Sequence, residues 1–190
     1  MYVPKDFAEQ NQEKLVALMQ RHPLCTLVSL AGDGFTANHL PLLALQESAE
    51  RIVLQGHVAR ANPFWKDVGG SSVLAIFQAA QAYISPGWYP SKKEHGKVVP
   101  TWNYKVVHAH GDINIVHDDA WKLAFLTRLT AQQESKFATP WAVSDAPPEY
   151  TERMLRGIVG FEIVVTQLIG KCKASQNKPC LLYTSDAADE

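Results

Sequence analysis

Cysteine is scarce. The 190 residues hold three, Cys25, Cys172 and Cys180, and no two form a C-x-x-C pair. That excludes a disulfide scaffold and the zinc or redox motifs built on paired thiols, and it implies a reducing, cytoplasmic setting. Long apolar runs are lacking too: none approaches the roughly 18 residues of a membrane-crossing helix. The first twenty residues carry Lys5, Asp6, Glu9, Glu13 and Lys14 without the apolar stretch of a signal peptide. Neither sign of charge is in excess. Eighteen Lys and Arg stand against nineteen Asp and Glu, a formal net charge of −1, so DNA or an anionic membrane would have to be met by a local patch. Eleven Gly and eleven Pro exclude collagen-like and low-complexity architectures. G-x-G-x-x-G, G-x-x-x-x-G-K-[ST] and G-x-S-x-G are absent, which removes support for Rossmann, P-loop and serine-hydrolase readings. No paired-carboxylate motif points to a glycosidase.

What is there is a globular composition, 46% apolar and 19% charged. Leu15, Leu18 and Met19 recur at helical spacing within Glu9 to Arg21, and Pro23 stops that helix. Strands follow over Leu24 to Leu30 and Phe35 to Leu43, around the hairpin signal Ala31-Gly-Asp-Gly34. Further strands read over Arg51 to His57, Val73 to Phe77, Ala82 to Ser85 and Trp102 to His117, the last with a bulge near Gly111. Asp118 caps a helix running to about Gln132, with Trp121, Phe125 and Leu129 on one face. A short helix, Glu149 to Arg156, precedes a final strand, Ile158 to Ile169. About seven strands and three helices predict a mainly β (α+β) fold, an antiparallel barrel with peripheral helices. Residues 1–179 read as one domain. Residues 180–190 break the pattern and read as a non-native, read-through tail.

Three polar clusters could carry chemistry. His57, Arg60 and Asn62 follow a strand end and supply an imidazole, a guanidinium fork and an amide, a set suited to a phosphate and equally to a capping turn. Tyr83 to Tyr89 and Val99 to Tyr104 bracket the loop of Lys92, Lys93, His95 and Lys97 with aromatics, which suit stacking on a planar ligand or a dimer interface. Lys171, Lys173, Ser175 and Gln176 could reach an anion or simply leave a strand. His108 and His110 share a strand face, with no nearby carboxylate or Cys pattern to complete a metal site.

Taken in order, Met1-Tyr-Val-Pro-Lys-Asp-Phe7, Asn38-His-Leu-Pro41, Gly56-His-Val-Ala-Arg-Ala-Asn-Pro63, Tyr83-Ile-Ser-Pro86, Trp88-Tyr89, Val99-Pro-Thr-Trp-Asn-Tyr104 and Ser175-Gln-Asn177 resemble the PaiB family, described as FMN-binding negative transcriptional regulators. The resemblance implies a split β-barrel related to the pyridoxamine 5′-phosphate oxidase-like proteins, a homodimer, and FMN in clefts at the subunit interface. It implies phosphate binding by Arg60 and Asn62 with His57 beside them, and Asn38 and His39 at the same cleft. Trp102, Asn103 and Tyr104 would face the flavin ring, from the same or the partner subunit. Cys172 stands where the family usually has Trp. Two other outputs belong with the same fold: a flavin-dependent oxidoreductase acting on a small substrate, and a haem-binding relative with His39, His57 or His108 as ligand.

Overall fold

The computed structural model describes residues 1–32, 34–89, 92 and 96–177. The tail at 180–190 and most of the lysine-rich loop, Lys93 and His95 included, lie outside the described residues. A 3-10 turn at Lys5–Phe7 leads into strand β1 (Ala8–Glu9) and helix α1 (Gln12–Arg21). Strands β2 (Leu24–Ala31), β3 (Gly34–Pro41), β4 (Leu43–Gln46) and β5 (Ile52–Ala59) follow, then a one-turn helix α2 (Phe64–Asp67). Two long strands, β6 (Ser72–Ile84) and β7 (Thr101–Val116), precede α3 (Asp119–Glu134), α4 (Pro148–Arg156) and β8 (Ile158–Lys173). No helix among the described residues is long and apolar enough to cross a membrane.

The sheet runs β3-β2-β6-β7-β8-β5-β4, every pairing antiparallel, with β1 added to the far end of β8. It curls until β3 comes to lie beside β5, so the barrel closes on side chains rather than on a hydrogen-bonded ladder: a split barrel. β8 organises it. One edge pairs with β7 from Gly160 to Lys173. The other edge takes β5 over Ile158 to Val164 and β1 at Gly170 and Lys171.

Strand alternation sends Leu27, Leu54, Phe77, Val107, Ile113, Phe161 and Ile163 inward, all at 0% exposure. Helix α1 stoppers one end of the barrel with Leu15, Val16 and Met19. It begins where the Asn11 carboxamide accepts the Lys14 amide, 3.0 Å. Helix α3 begins in the same way, the Trp121 amide donating to the Asp118 carboxylate at 2.6 Å. It lies outside β4 and β5, packing Phe125 and Leu129 on Leu43. Lys122 on that helix is fully buried, its ammonium held by the Leu155 carbonyl at 2.8 Å and by Asp119 at 2.6 Å. A lysine with two of its three donors bonded, one of them to a carboxylate, can lie between α3 and α4 without an orphaned charge.

Three expectations are redrawn. The stretches read as separate strands at Val73 to Phe77 and Ala82 to Ser85 are one strand with a bulge between Gln78 and Gln81. The run read as one strand to Leu43 breaks at Leu42. The last strand continues four residues beyond Ile169, because β7 keeps supplying ladder partners as far as Lys173.

Candidate functional site

The expected residues gather at two ends of the barrel. At the first, Asn62 donates its Nδ2 to Asn38 Oδ1 at 2.9 Å and accepts the Phe64 amide at 3.0 Å. The second bond opens α2, so the turn role is filled. The Asn38 side chain lies on the β3 face that turns Leu40 toward the core, and its own Nδ2 is buried with no hydrogen-bond partner. Arg60 is clamped to the end of α4. Its Nε donates to the Arg156 carbonyl at 2.7 Å, its Nη2 to the Ile158 carbonyl at 3.1 Å, and its backbone amide to the Gly157 carbonyl at 2.8 Å. No bond from Nη1 is among those of the described residues, so that donor remains available to a ligand.

The two histidines expected beside them point elsewhere. His57 follows the outward alternation of β5 and packs edge-on against Phe125 of α3, ring centroids 5.8 Å apart. Burial holds its pKa below the ordinary 6.5, so it is neutral at neutral pH, and its Nδ1 is buried without a partner. His39 is exposed on the face opposite to Asn38. The cross-strand registers Thr26–His39, Thr26–Ile76 and Ile76–His108 put His39 and His108 on one outer face, three strands apart. That is about 14 Å at the usual strand spacing. Burial, the chain's amino terminus and His110 all lower the His108 pKa.

The second end carries the aromatic motif. Trp102 and Tyr83 pair across β6 and β7, half exposed, centroids 5.9 Å apart. Alternation splits the Trp102-Asn103-Tyr104 motif. Trp102 and Tyr104 face out, where the Lys171 ammonium lies 5.3 Å over the Tyr104 ring. Asn103 faces in, 5% exposed, its Oδ1 accepting from Ser175 at 3.0 Å. Lys173 donates to Thr101 Oγ1 and to the Trp102 carbonyl. Gln176 ties the end of β8 to Cys172 and Asp6 through its Nε2. Ser175 and Gln176 are thus spent within the fold. Beside Asn103 opens a cavity of about 430 Å³ reached by Arg21, His22 and Lys105. The sequence marked neither cation, since no motif joins a helix end to a strand 84 residues later.

The two ends are far apart. His57 pairs with Gly160 and Tyr104 with Lys173, thirteen residues apart on β8, which is about 43 Å of extended chain.

Residues 1–167 match the family model described as "Putative FMN-binding domain". The chain belongs to this PaiB-type FMN-binding family. FMN is accordingly its cofactor. A Bacillus subtilis relative, "Protease synthase and sporulation protein PAI 2", is 34% identical over 94% of this chain and 83% of its own. An uncharacterised Emericella nidulans protein is 32% identical over 93% and 84%, so the family extends to fungi. The solved structure of the FAD and haem binding protein from Mycobacterium smegmatis shares the fold. It has a TM-score of 0.61 and 12% identity, over 96% of this chain and 79% of that one.

The donors at the first end of this FMN-binding domain fit the cofactor. A flavin mononucleotide presents a phosphate and ring carbonyls, all acceptors. Asn38 Nδ2 is a buried donor lacking an acceptor, a state costing about 1–3 kcal/mol. Arg60 adds a positive charge held in place by the carbonyls at the end of α4.

Proposed function

We propose that the protein works as a homodimer binding FMN in two equivalent clefts. Each cleft combines the Asn38–Arg60 end of one subunit with the Trp102–Tyr104 end of the other, and the loaded dimer acts as a negative transcriptional regulator. The observation that carries this reading is the separation along β8. A two-fold axis perpendicular to a strand runs the partner strand in the opposite sense, so it brings the Gly160 end of one chain toward the Lys173 end of the other. An apolar surface supports such an axis. Phe35 is 85% exposed and Leu30 61%, paired across β2 and β3 beside Val28 and Leu74. A monomer rarely leaves such a patch in water.

Bound FMN supplies the electron-transfer chemistry. The chain's own part is binding and orientation. Arg60 offers charge to the phosphate, Asn38 offers its unbonded amide, and the partner's Trp102 covers the planar ring and excludes water. The regulatory output rests on the PaiB resemblance.

The test is a titration with FMN and with riboflavin, followed by flavin absorbance and tryptophan quenching. One FMN per subunit is expected, with Arg60→Ala losing the preference for FMN over riboflavin. Arg60→Ala and Trp102→Ala chains, each defective alone, should regain one intact cleft per heterodimer when mixed. If mixing restores nothing while both variants remain dimeric, the shared cleft is wrong. Promoter DNA bound by the loaded dimer, with a salt-dependent affinity, supports the regulatory output. Turnover of a reduced nicotinamide with no DNA binding would replace it by an oxidoreductase role.

A further inference from the structure

We propose that the mouth of the barrel beneath α1 is a second ligand site, which binds the oxyanion of a small phosphorylated or carboxylated molecule through Arg21, Lys105 and Asn103. It adjoins the aromatic end, since Tyr104 and Lys173 border the larger cavity, but it is a different site from the flavin reading: Asn103 and Lys105 share the strand face opposite to the one that bears Trp102 and Tyr104.

Two cavities meet there, of about 430 and 230 Å³, and Leu18, Arg21 and Lys105 line both. The larger is within the usual span of small-ligand pockets, about 300–1,000 Å³. Arg21 ends α1. Its Nε bonds the Ala17 carbonyl at 3.2 Å, which orients the guanidinium and leaves its two terminal nitrogens without a bond among the described residues. Lys105 stands on β7 opposite Cys172 and has no ion pair or hydrogen bond among the described residues. Asn103, two residues earlier on the same face, is nine-tenths buried and lines the larger cavity. Ser175 occupies its Oδ1, so its Nδ2 donors are what it presents there.

Acceptors are few by comparison. Glu9 lines the smaller cavity, but its Oε1 takes the Asn11 amide at 2.9 Å and its Oε2 lies 3.7 Å from Lys14. Arg21, Lys105 and the Asn103 amide, with Lys173 bordering the larger cavity and Lys14 and Lys171 the smaller, make a concavity suited to an anion. A pocket one ligand wide, in a chain of formal charge −1, favours a small oxyanion over the extended phosphate track of a nucleic acid.

The experiment is a nitrogen–proton NMR titration of the full chain with inorganic phosphate, then with succinate, at constant ionic strength set by sodium chloride. Saturable shifts of the Asn103 side-chain amide and Arg21 Nε are expected. The tighter of the two probes identifies a phosphate or a carboxylate ligand. Lys105→Gln and Arg21→Gln should each weaken binding about tenfold, the loss of one charge-assisted hydrogen bond. FMN titrated into the same samples should bind as in the parent chain, which separates this site from the flavin cleft. Three results would each overturn the proposal: shifts that never saturate, binding indifferent to both substitutions, or saturation with duplex DNA and neither small anion.

Discussion

Asn62 and Asn38 join across the split of the barrel: the Asn62 carboxamide donates to Asn38 Oδ1 at 2.9 Å, linking the end of β5 to an edge strand that no ladder attaches to it. The same side chain opens α2 by accepting the Phe64 amide. One residue therefore closes the barrel and starts the turn that carries the Arg60 segment onward.

Asn62→Ala should cost about 1–3 kcal/mol, the sum of a lost turn bond from the Phe64 amide and a lost part-buried hydrogen bond to Asn38. Asn62→Asp should cost less. It keeps the bond from the Phe64 amide, and its other carboxylate oxygen accepts from Asn38 Nδ2 once the Asn38 amide turns over. Urea denaturation of both, and of Asn38→Ala with Asn62→Ala as a double-mutant cycle, reads the coupling. Strict additivity would show that the bond does not hold the split closed.

The neutral His57 under α3 makes stability depend on pH. Its folded pKa lies below 6.5 because burial disfavours the charged ring. Below about pH 6.5 the unfolded chain takes up a proton that the folded chain refuses, so stability falls as pH drops toward the folded value and is retained above 6.5. His108 is shifted in the same direction and adds to the slope. The urea midpoint should therefore decline between pH 7 and 5, and the decline should be shallower in His57→Gln. An unchanged slope would remove His57 as a contributor.

Cys25 and Cys172 should differ in reactivity. Burial pushes the Cys25 thiol up to about 12, leaving almost no thiolate to react, whereas Cys172 is half-buried. Alkylation of the native protein near pH 8, mapped by mass spectrometry, should modify Cys172 and spare Cys25. Cys25 should become labelled in step with unfolding in urea. Equal labelling without denaturant would contradict its place in the core.

Gly160 lies directly under the Trp121 ring, where an added Cβ would come within 2.5 Å of the indole and 3.2 Å of the Val116 carbonyl. Gly160→Ala must push Trp121 outward and disturb its stack on Phe125, centroids 5.5 Å apart. The expected cost is about 1–3 kcal/mol of overpacking, with a red shift of tryptophan emission. An unshifted spectrum at parent stability would mean that α3 is free to lift from the sheet.

Local features were legible where adjacent residues encode them. The Asp118 cap, the bulge at Gly111 and the helical stripe of Trp121, Phe125 and Leu129 all follow from spacing over a few positions. Legibility failed where a ladder overrode composition. The small and polar run at 79–81 reads as a gap, yet β7 pairs with β6 on both sides of it. Lys122 was equally hidden, since nothing nearby in the chain announces the Leu155 carbonyl that makes its burial tolerable. At the candidate site, His57, Arg60 and Asn62 look like one cluster because they span six residues. Strand alternation turns His57 toward Phe125, while the chain beyond β5 carries Arg60 to the end of α4 and Asn62 to Asn38.

The order of strands and helices, the pairing of β2 with β3 as neighbours and the family motifs are properties of the chain read locally, where a period of two or of 3.6 needs only near neighbours. The tertiary structure alone decided which distant groups meet. Asn38 reaches Asn62, Arg60 reaches the carbonyls after residue 155, Arg21 reaches the cavity of Lys105, and the two halves of the expected flavin site lie at opposite ends of β8. Those meetings depend on strand order and register. Register is set by the whole buried face at once, and a slip of one residue would turn every one of these side chains to the other side of the sheet.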